Sequence, residues 1–98
     1  MSDVFNALSS QTRRQILSLL KNRDMTAGEI ADQLSVGKST LSGHFNVLKA
    51  ADLVATERQG TTITYSLNTS VVEELLAAVV GLLSSEEKES EGENDAAV

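Results

Sequence analysis

Three side chains able to do nucleophilic or acid–base chemistry lie close together mid-chain: Ser39, Ser42 and His44. A serine becomes a nucleophile when an imidazole takes its proton and an acid orients that imidazole. No acid is placed to orient His44, and serines in this setting suit helix capping or phosphate contacts. Gly37-Lys38-Ser39 has the closing residues of a phosphate-binding loop but lacks the upstream glycine. The chain holds no cysteine and one histidine. The lack of cysteine excludes thiolate chemistry and a disulfide framework, and a single histidine makes a chain-internal zinc site hard to build, since such a site needs three or four good ligands. His44 therefore reads as a packing or phosphate-facing residue. No enzyme activity, metal or cofactor is expected.

What remains is recognition, and the charge distribution bears on it. The 98 residues carry a formal charge of -6. The segment from Glu86 to Val98 holds -5 of this, so the first 85 residues carry only -1. That body is large enough for one domain, and a nearly neutral body can hold a local basic face. Residues 86–98 have few large apolar groups and are expected to form a disordered acidic tail, which would repel phosphates. Aromatics make up 3% of the chain, too few for a platform that stacks single-stranded bases. The longest run without a polar side chain is the nine residues from Leu75 to Leu83, too short to span a bilayer. No charged-then-apolar leader is seen. A cytoplasmic protein without membrane insertion is the expectation.

The elements follow from periodicity and caps. Asp3 to Leu8 carries Val4, Phe5 and Leu8 at helical spacing. Ser10 can cap a second helix over Gln11–Asn22, with Ile16, Leu19 and Leu20 as its stripe. Thr26-Ala27-Gly28-Glu29 has capping-box spacing and opens a third helix. Its inner face is Ala27, Ile30, Ala31 and Leu34. After the short turn Ser35-Val36-Gly37, a fourth helix runs from Lys38 to about Ala51. The period then changes to two. Leu53–Arg58 and Thr62–Leu67 read as strands around the glycine-bearing Gln59-Gly60-Thr61, a hairpin. Asn68 or Thr69 caps a last helix, expected to end near Ser84. Its Val71, Val72, Leu75, Leu76, Val79, Val80, Leu82 and Leu83 are too much apolar surface for a helix bathed in water.

The third and fourth helices with their tight turn make a helix-turn-helix candidate. With 100° per residue and Ser39 at zero, Leu48, Leu41 and Phe45 fall at about 180°, 200° and 240°. Opposite them stand Ser39, Gly43, Asn46 and Ser42, all small or polar and none acidic. Lys38 and Thr40 lie at the start of the helix, Lys49 flanks the face, and His44 sits beside the core stripe. An acid-free face in an acidic protein is what closeness to phosphate demands. The same pattern would also fit an amphipathic helix whose outer face is merely solvated. The hairpin favours the first reading: it is a wing, whose Arg58, Gln59, Thr61 and Thr62 near the tip can reach phosphate or the minor groove. Arg13 and Arg14 on the second helix can meet phosphate or serve structure.

Thr12-Arg13-Arg14-Gln15-Ile16-Leu17-Ser18-Leu19-Leu20 resembles the second-helix signature of the ArsR-type winged-helix repressors. Thr26–Ala31 and Lys38–Lys49 are similar to that family's helix-turn-helix, and Leu53-Val54 and Tyr65-Ser66-Leu67 to the two ends of its wing. The resemblance covers about residues 3 to 84 and is strongest to the metal-independent autorepressor branch. It implies a mainly α fold with a small β-hairpin, a winged helix-turn-helix of five helices and a two-stranded wing. It implies a homodimer on the first and last helices, bound to a double-stranded operator of two-fold symmetry. The dimer residues would be Val4, Phe5, Leu8, Val72, Leu75, Leu76, Val79, Val80 and Leu83. The departures are informative. Metal sensors of the family carry cysteines on the third helix or Asp and His on the last. Here the third helix offers Glu29 and Asp32, and the last only the adjacent Glu73 and Glu74. Gln11 stands where a proline is common, and Gly43 where a larger polar residue often points at a base.

The expectation is a sequence-specific DNA-binding repressor. Two alternatives stay open. One is a protein-interaction module of the same fold, engaging a partner such as a protein anti-repressor. The other is a repressor with an organic effector at the dimer interface.

Overall fold

The computed structural model describes residues 2–92, and side chains from residue 3 to residue 84. The element order is α1 (Ser2–Leu8), α2 (Gln11–Asn22), β1 (Met25–Thr26), α3 (Ala27–Leu34), α4 (Lys38–Ala50), β2 (Val54–Gln59), β3 (Thr62–Leu67) and α5 (Thr69–Gly92). Five helices and a hairpin are present as expected. The sheet has three strands rather than two, in the order β1-β3-β2, all antiparallel. The added strand pairs Met25 with Tyr65 and Thr26 with Thr64. Two residues are too few to leave a period-two signal, so β1 could not be read from the sequence.

Local chemistry sets the boundaries. The Ser10 hydroxyl accepts from the Arg13 amide at 3.2 Å and starts α2. At the head of α3 the full capping box forms. The Glu29 amide donates to the Thr26 hydroxyl at 3.2 Å, and the Thr26 amide donates to Glu29 Oε1 at 2.9 Å. The C-terminal ends of α3 and α4 both use left-handed residues other than glycine: Ser35 at φ 55 and Asp52 at φ 59. After α4 the Leu53 amide donates to the Leu48 carbonyl and the Asp52 amide to that of Lys49, both at 3.0 Å. That is a Schellman motif, with buried Leu48 and Leu53 as its apolar contact. It turns the chain from α4 directly into β2.

The core is one cluster to which every element from α1 to β3 contributes. Ile16, Ile30, Leu41, Leu48 and Leu53 are fully buried at its centre. Phe45 of α4 and Tyr65 of β3 stack with ring centroids 4.2 Å apart and planes 17° from parallel. This pair fixes the hairpin against α4. Burial pushes the Tyr65 phenol above its ordinary value. Val4, expected at a dimer surface, instead lies inside this core at 5% exposure. A seven-residue helix with Val4 and Ala7 both buried docks by that face, leaving Phe5 outward at 60%.

The last helix differs from expectation in length. It runs on to Gly92, eight residues past Ser84, so the first part of the segment expected to be disordered is helical backbone. Residues 93–98 lie outside the described residues. Val71, Val72 and Leu75 pack against the core. Beyond them Leu76, Val79, Val80, Leu82 and Leu83 are exposed. No helix among the described residues is long and apolar enough to cross a membrane.

The capping box makes a testable contribution. Thr26→Ala should lower stability by about 1 kcal/mol in urea unfolding at pH 7. The hydrogen bond from the Thr26 amide, with smaller help from Arg23, holds the Glu29 carboxyl below its ordinary value. A lowered folded value means stabilisation by the charged carboxylate above the ordinary carboxylate range, lost as pH falls through the folded value. The advantage of Glu29 over Gln at this position should therefore shrink as the solution is taken below about pH 4. Equal pH dependence in both proteins would count against the cap.

Candidate nucleic-acid interface

The site grows from the burial of one helical stripe. Leu41, Phe45 and Leu48 of α4 are buried, so the opposite face has to point outward. Lys38, Ser39, Thr40, Ser42, Gly43, Asn46 and Lys49 are all exposed. This is the set the helical wheel assigned to the outer face and its margins. The face contains no acidic side chain. Gly37 occupies the N-cap and offers no side-chain hydrogen bond, which leaves the first-turn amides of α4 able to donate to an anion. A Cβ at Gly43 would meet nothing within 4 Å. Its glycine is therefore not demanded by packing within the protomer.

The wing completes the surface. The register pairs Arg58 with Ile63 and Gln59 with Thr62, so the loop between β2 and β3 is only Gly60-Thr61. Gly60 has φ 63 and is the sole positive-φ residue of that loop, as a type II′ turn requires. Arg58, Thr61 and Thr62 are exposed. A groove of about 510 Å³ between the wing and the head of α3 is lined by Lys38, Thr26, Thr61, Thr62, Ala27 and Gly28. It brings the Lys38 cation together with the hydroxyls of Thr61 and Thr62, groups that suit a phosphate, while the Thr26 hydroxyl is engaged in the capping box of α3. The structure thus brings Lys38 of α4 together with Thr61 and Thr62 of the wing, which sequence spacing alone does not show.

His44 is placed differently from the other α4 residues. It is half-buried, and its Nδ1 lies 3.1 Å from Arg13 Nη1. Arg13 also donates from Nε to the Ala7 carbonyl at 2.8 Å and from Nη2 to the Asn6 carbonyl at 2.9 Å. Arg14 donates from Nη1 to the Leu8 carbonyl at 2.7 Å. The two arginines left open between phosphate and structure both satisfy the C-terminal carbonyls of α1. Their partners are backbone oxygens, which carry no sequence signature. Among the described residues no three His, Asp or Glu side chains come together as a metal site would need.

Comparison with known proteins bears directly on this surface. Residues 10–56 match the profile described as "Bacterial regulatory protein, arsR family". The chain is 41% identical over 95 residues to the transcriptional repressor SdpR of Bacillus subtilis (strain 168), covering 97% of this chain and 99% of that one. This chain belongs to the ArsR family. Members are DNA-binding transcriptional regulators, so it is a regulator and not an enzyme. Solved structures agree. HlyU from Vibrio cholerae N16961 superposes with TM-score 0.67 at 31% identity, covering 80% of this chain and 88% of that one. An ArsR-like transcriptional regulator from Rhodococcus sp. RHA1 gives TM-score 0.80 at 28% identity, covering 89% of this chain and 82% of that one. The matched profile ends inside β2, so it takes in α2, α3 and α4 and stops short of β3 and α5.

The open space at Gly43 gives a direct test of the packing around α4. Gly43→Ala should raise stability by about 0.5–1 kcal/mol, because alanine removes an entropic cost and meets no neighbour. Thermal unfolding should shift up by a few degrees, as expected for a domain of this size. A fall in melting temperature would show that Gly43 packs more closely than the structure indicates.

Proposed function

We propose that this ArsR-family protein is a sequence-specific repressor that binds a two-fold operator as a homodimer, with no direct metal sensor site. The observation that carries the reading is the outer face of α4: exposed, acid-free, and flanked by Lys38, Lys49 and the wing. Ser39, Ser42 and Asn46 are the base-reading candidates, since asparagine offers both an acceptor and a donor to an adenine edge. Lys38, Lys49 and Arg58 carry charge at the margins, with Thr61 and Thr62 beside them, and serve phosphate. Thr40 lies in the first turn of α4, where the uncapped amides favour an anion. The 41% identity to SdpR, named a transcriptional repressor, supports repression as the output. Its place of action is the cytoplasm, with the DNA.

The dimer rests on apolar surface that one protomer leaves uncovered. Phe5, Leu76, Val79, Val80 and Leu83 are exposed, Leu76 at 61% and Leu83 at 63%. Leu8, Val72 and Leu75 are half-buried beside them. An open groove of about 450 Å³ is walled by Leu8 and Leu17, by Leu53, and by Leu75, Leu76 and Val79 of α5. Burying this stripe against a second copy removes from water most of the large apolar side chains that the described residues leave exposed.

Reading and anchoring should separate by mutation. Asn46→Ala should cost roughly 1–3 kcal/mol on the operator and little on random DNA. Arg58→Ala should weaken both alike and reduce the salt slope by about one for each phosphate that a protomer no longer neutralises. Binding curves for both variants on both DNAs at several salt concentrations decide the matter. Equal losses for Asn46→Ala on the two DNAs would put the wrong face of α4 in the groove. Unchanged binding by Arg58→Ala would remove the wing from the interface.

Dimerisation is tested by sedimentation. The wild-type chain should sediment as a dimer at micromolar concentration, and the double substitution Leu76→Asp, Val79→Asp as a monomer. A folded wild-type monomer at that concentration would refute the seam.

A further inference from the structure

We propose that the groove lined by α2 and α5 binds a small amphipathic anion, an aliphatic carboxylate whose chain lies on the leucines and whose head meets Arg14 and Lys21. The site goes beyond the repressor reading and rests on the chemistry of the groove alone. Its volume of about 450 Å³ falls in the range of small-molecule sites, which are mostly apolar with a few polar groups that fix orientation. Leu53 is fully buried and forms the floor, with Leu67 of β3 beside it. α5 supplies an aliphatic wall of Leu75, Leu76 and Val79. Leu76 and Val79 belong also to the stripe offered to a second copy, whereas Leu17, Leu53 and Leu67 lie outside that stripe.

The α2 wall has a different character. Arg14, Leu17, Ser18 and Lys21 stand at i, i+3, i+4 and i+7, the spacing of one helix face. Arg14 and Lys21 are therefore two turns apart, about 10 Å along the axis. The polar side chains of the groove are all on this wall, and none is acidic, in a chain with 14 acidic and 8 basic residues. Arg14 is held in place, since its Nη1 donates to the carbonyl of Leu8, itself a lining residue, at 2.7 Å. Its Nε and Nη2 make no bond among the described residues and remain as donors. Among the described residues the one ion pair joins Arg23 and Glu29 at 3.7 Å, so neither cation of the groove is neutralised by a carboxylate.

An apolar trough with two cations along one edge suits a molecule that is apolar along its length and negative at one end. A free phosphate would leave the leucines wet, a neutral hydrocarbon would leave the cations unused, and a cationic amphiphile would be repelled. The carboxylate pairs with Arg14, whose fork is already oriented by its bond to α1, and Lys21 adds attraction. The exposed apolar side chains that a second copy would bring, Phe5 and Leu83 among them, match the leucines but offer nothing to the cations.

Calorimetric titration of the wild-type chain should compare decanoate with decyltrimethylammonium, each below its micelle-forming concentration. The two share a chain and differ in the sign of the head. Indiscriminate adsorption to a protein of net charge -6 would favour the cation. The groove reverses this order: decanoate should saturate at one per protomer and bind roughly tenfold or more tighter than decyltrimethylammonium. Hexanoate, with fewer methylenes to bury, should bind roughly tenfold or more weakly than decanoate. Arg14→Gln should lower decanoate affinity roughly tenfold. Should that variant not fold, Lys21→Glu gives the same test from an exposed position and should lower affinity to a similar degree. Ser18→Trp, also at an exposed position, places an indole in the groove and should abolish binding with the helical circular-dichroism signal unchanged. Decyltrimethylammonium binding as tightly as decanoate would overturn the proposal, as would binding without saturation or wild-type affinity in Ser18→Trp. Absence of decanoate binding would overturn it too, and would mean that a second copy closes the groove.

Discussion

The burial of Leu41, Phe45 and Leu48 along one side of α4 is the constraint on which the rest of the molecule depends. A helix that surrenders one stripe to a core has no freedom in what it shows on the other side. Ile16 of α2 and Ile30 of α3 meet that stripe from beneath, and Leu53 closes it where the chain leaves for the wing. The exposed residues of α4 are thus oriented by apolar contacts they do not make themselves. This is why a face of small polar side chains, weak as individual binders, can be held in one orientation.

Two further contacts carry that orientation outward. The Schellman turn at Ala51–Leu53 sets the direction of β2, and the Phe45–Tyr65 stack fixes β3. Through β3 the short strand β1 is aligned, and through β1 the capped head of α3. Lys38, Thr61 and Thr62 come to share one groove because these links are rigid, although 22 residues separate Lys38 from Thr61 in the chain. On the other flank, Arg13 joins the end of α1 to α4. The element that supports the dimer reading and the element that supports the DNA reading are therefore neighbours through one side chain.

Much of this was legible in the sequence, for identifiable reasons. Helix positions followed from 3.6-residue periodicity, and the heads of α2 and α3 from Ser10 and the Thr26/Glu29 box, whose hydrogen bonds are local. The outer face of α4 was readable because a wheel needs only the apolar positions. What escaped was whatever depends on distant partners. Strand β1 is two residues long and exists only because β3 lies beside it. Val4 looked like a surface residue because α1 is short, and periodicity over seven residues does not say which of two apolar sides docks. The roles of Arg13 and Arg14 turned on backbone carbonyls of α1, which every residue possesses. The continuation of α5 past Ser84 runs through Glu-rich sequence that composition assigned to a tail.

The two-residue loop of the wing has a consequence for how such a protein can diverge. β2 and β3 are paired without a bulge from Val54↔Leu67 to Gln59↔Thr62, and side chains alternate between faces along each strand. Inserting a single residue into β3 between Thr62 and Tyr65 would turn Tyr65 away from Phe45 and expose it, or force a bulge. Insertion there is coupled to the core, whereas exchange of one outward residue for another is not. The hairpin behaves as a ruler of fixed length on which individual marks can be rewritten. Related proteins that keep this loop would change the chemistry of the wing by substitution, and gain a longer reach only by rebuilding the stack beneath it.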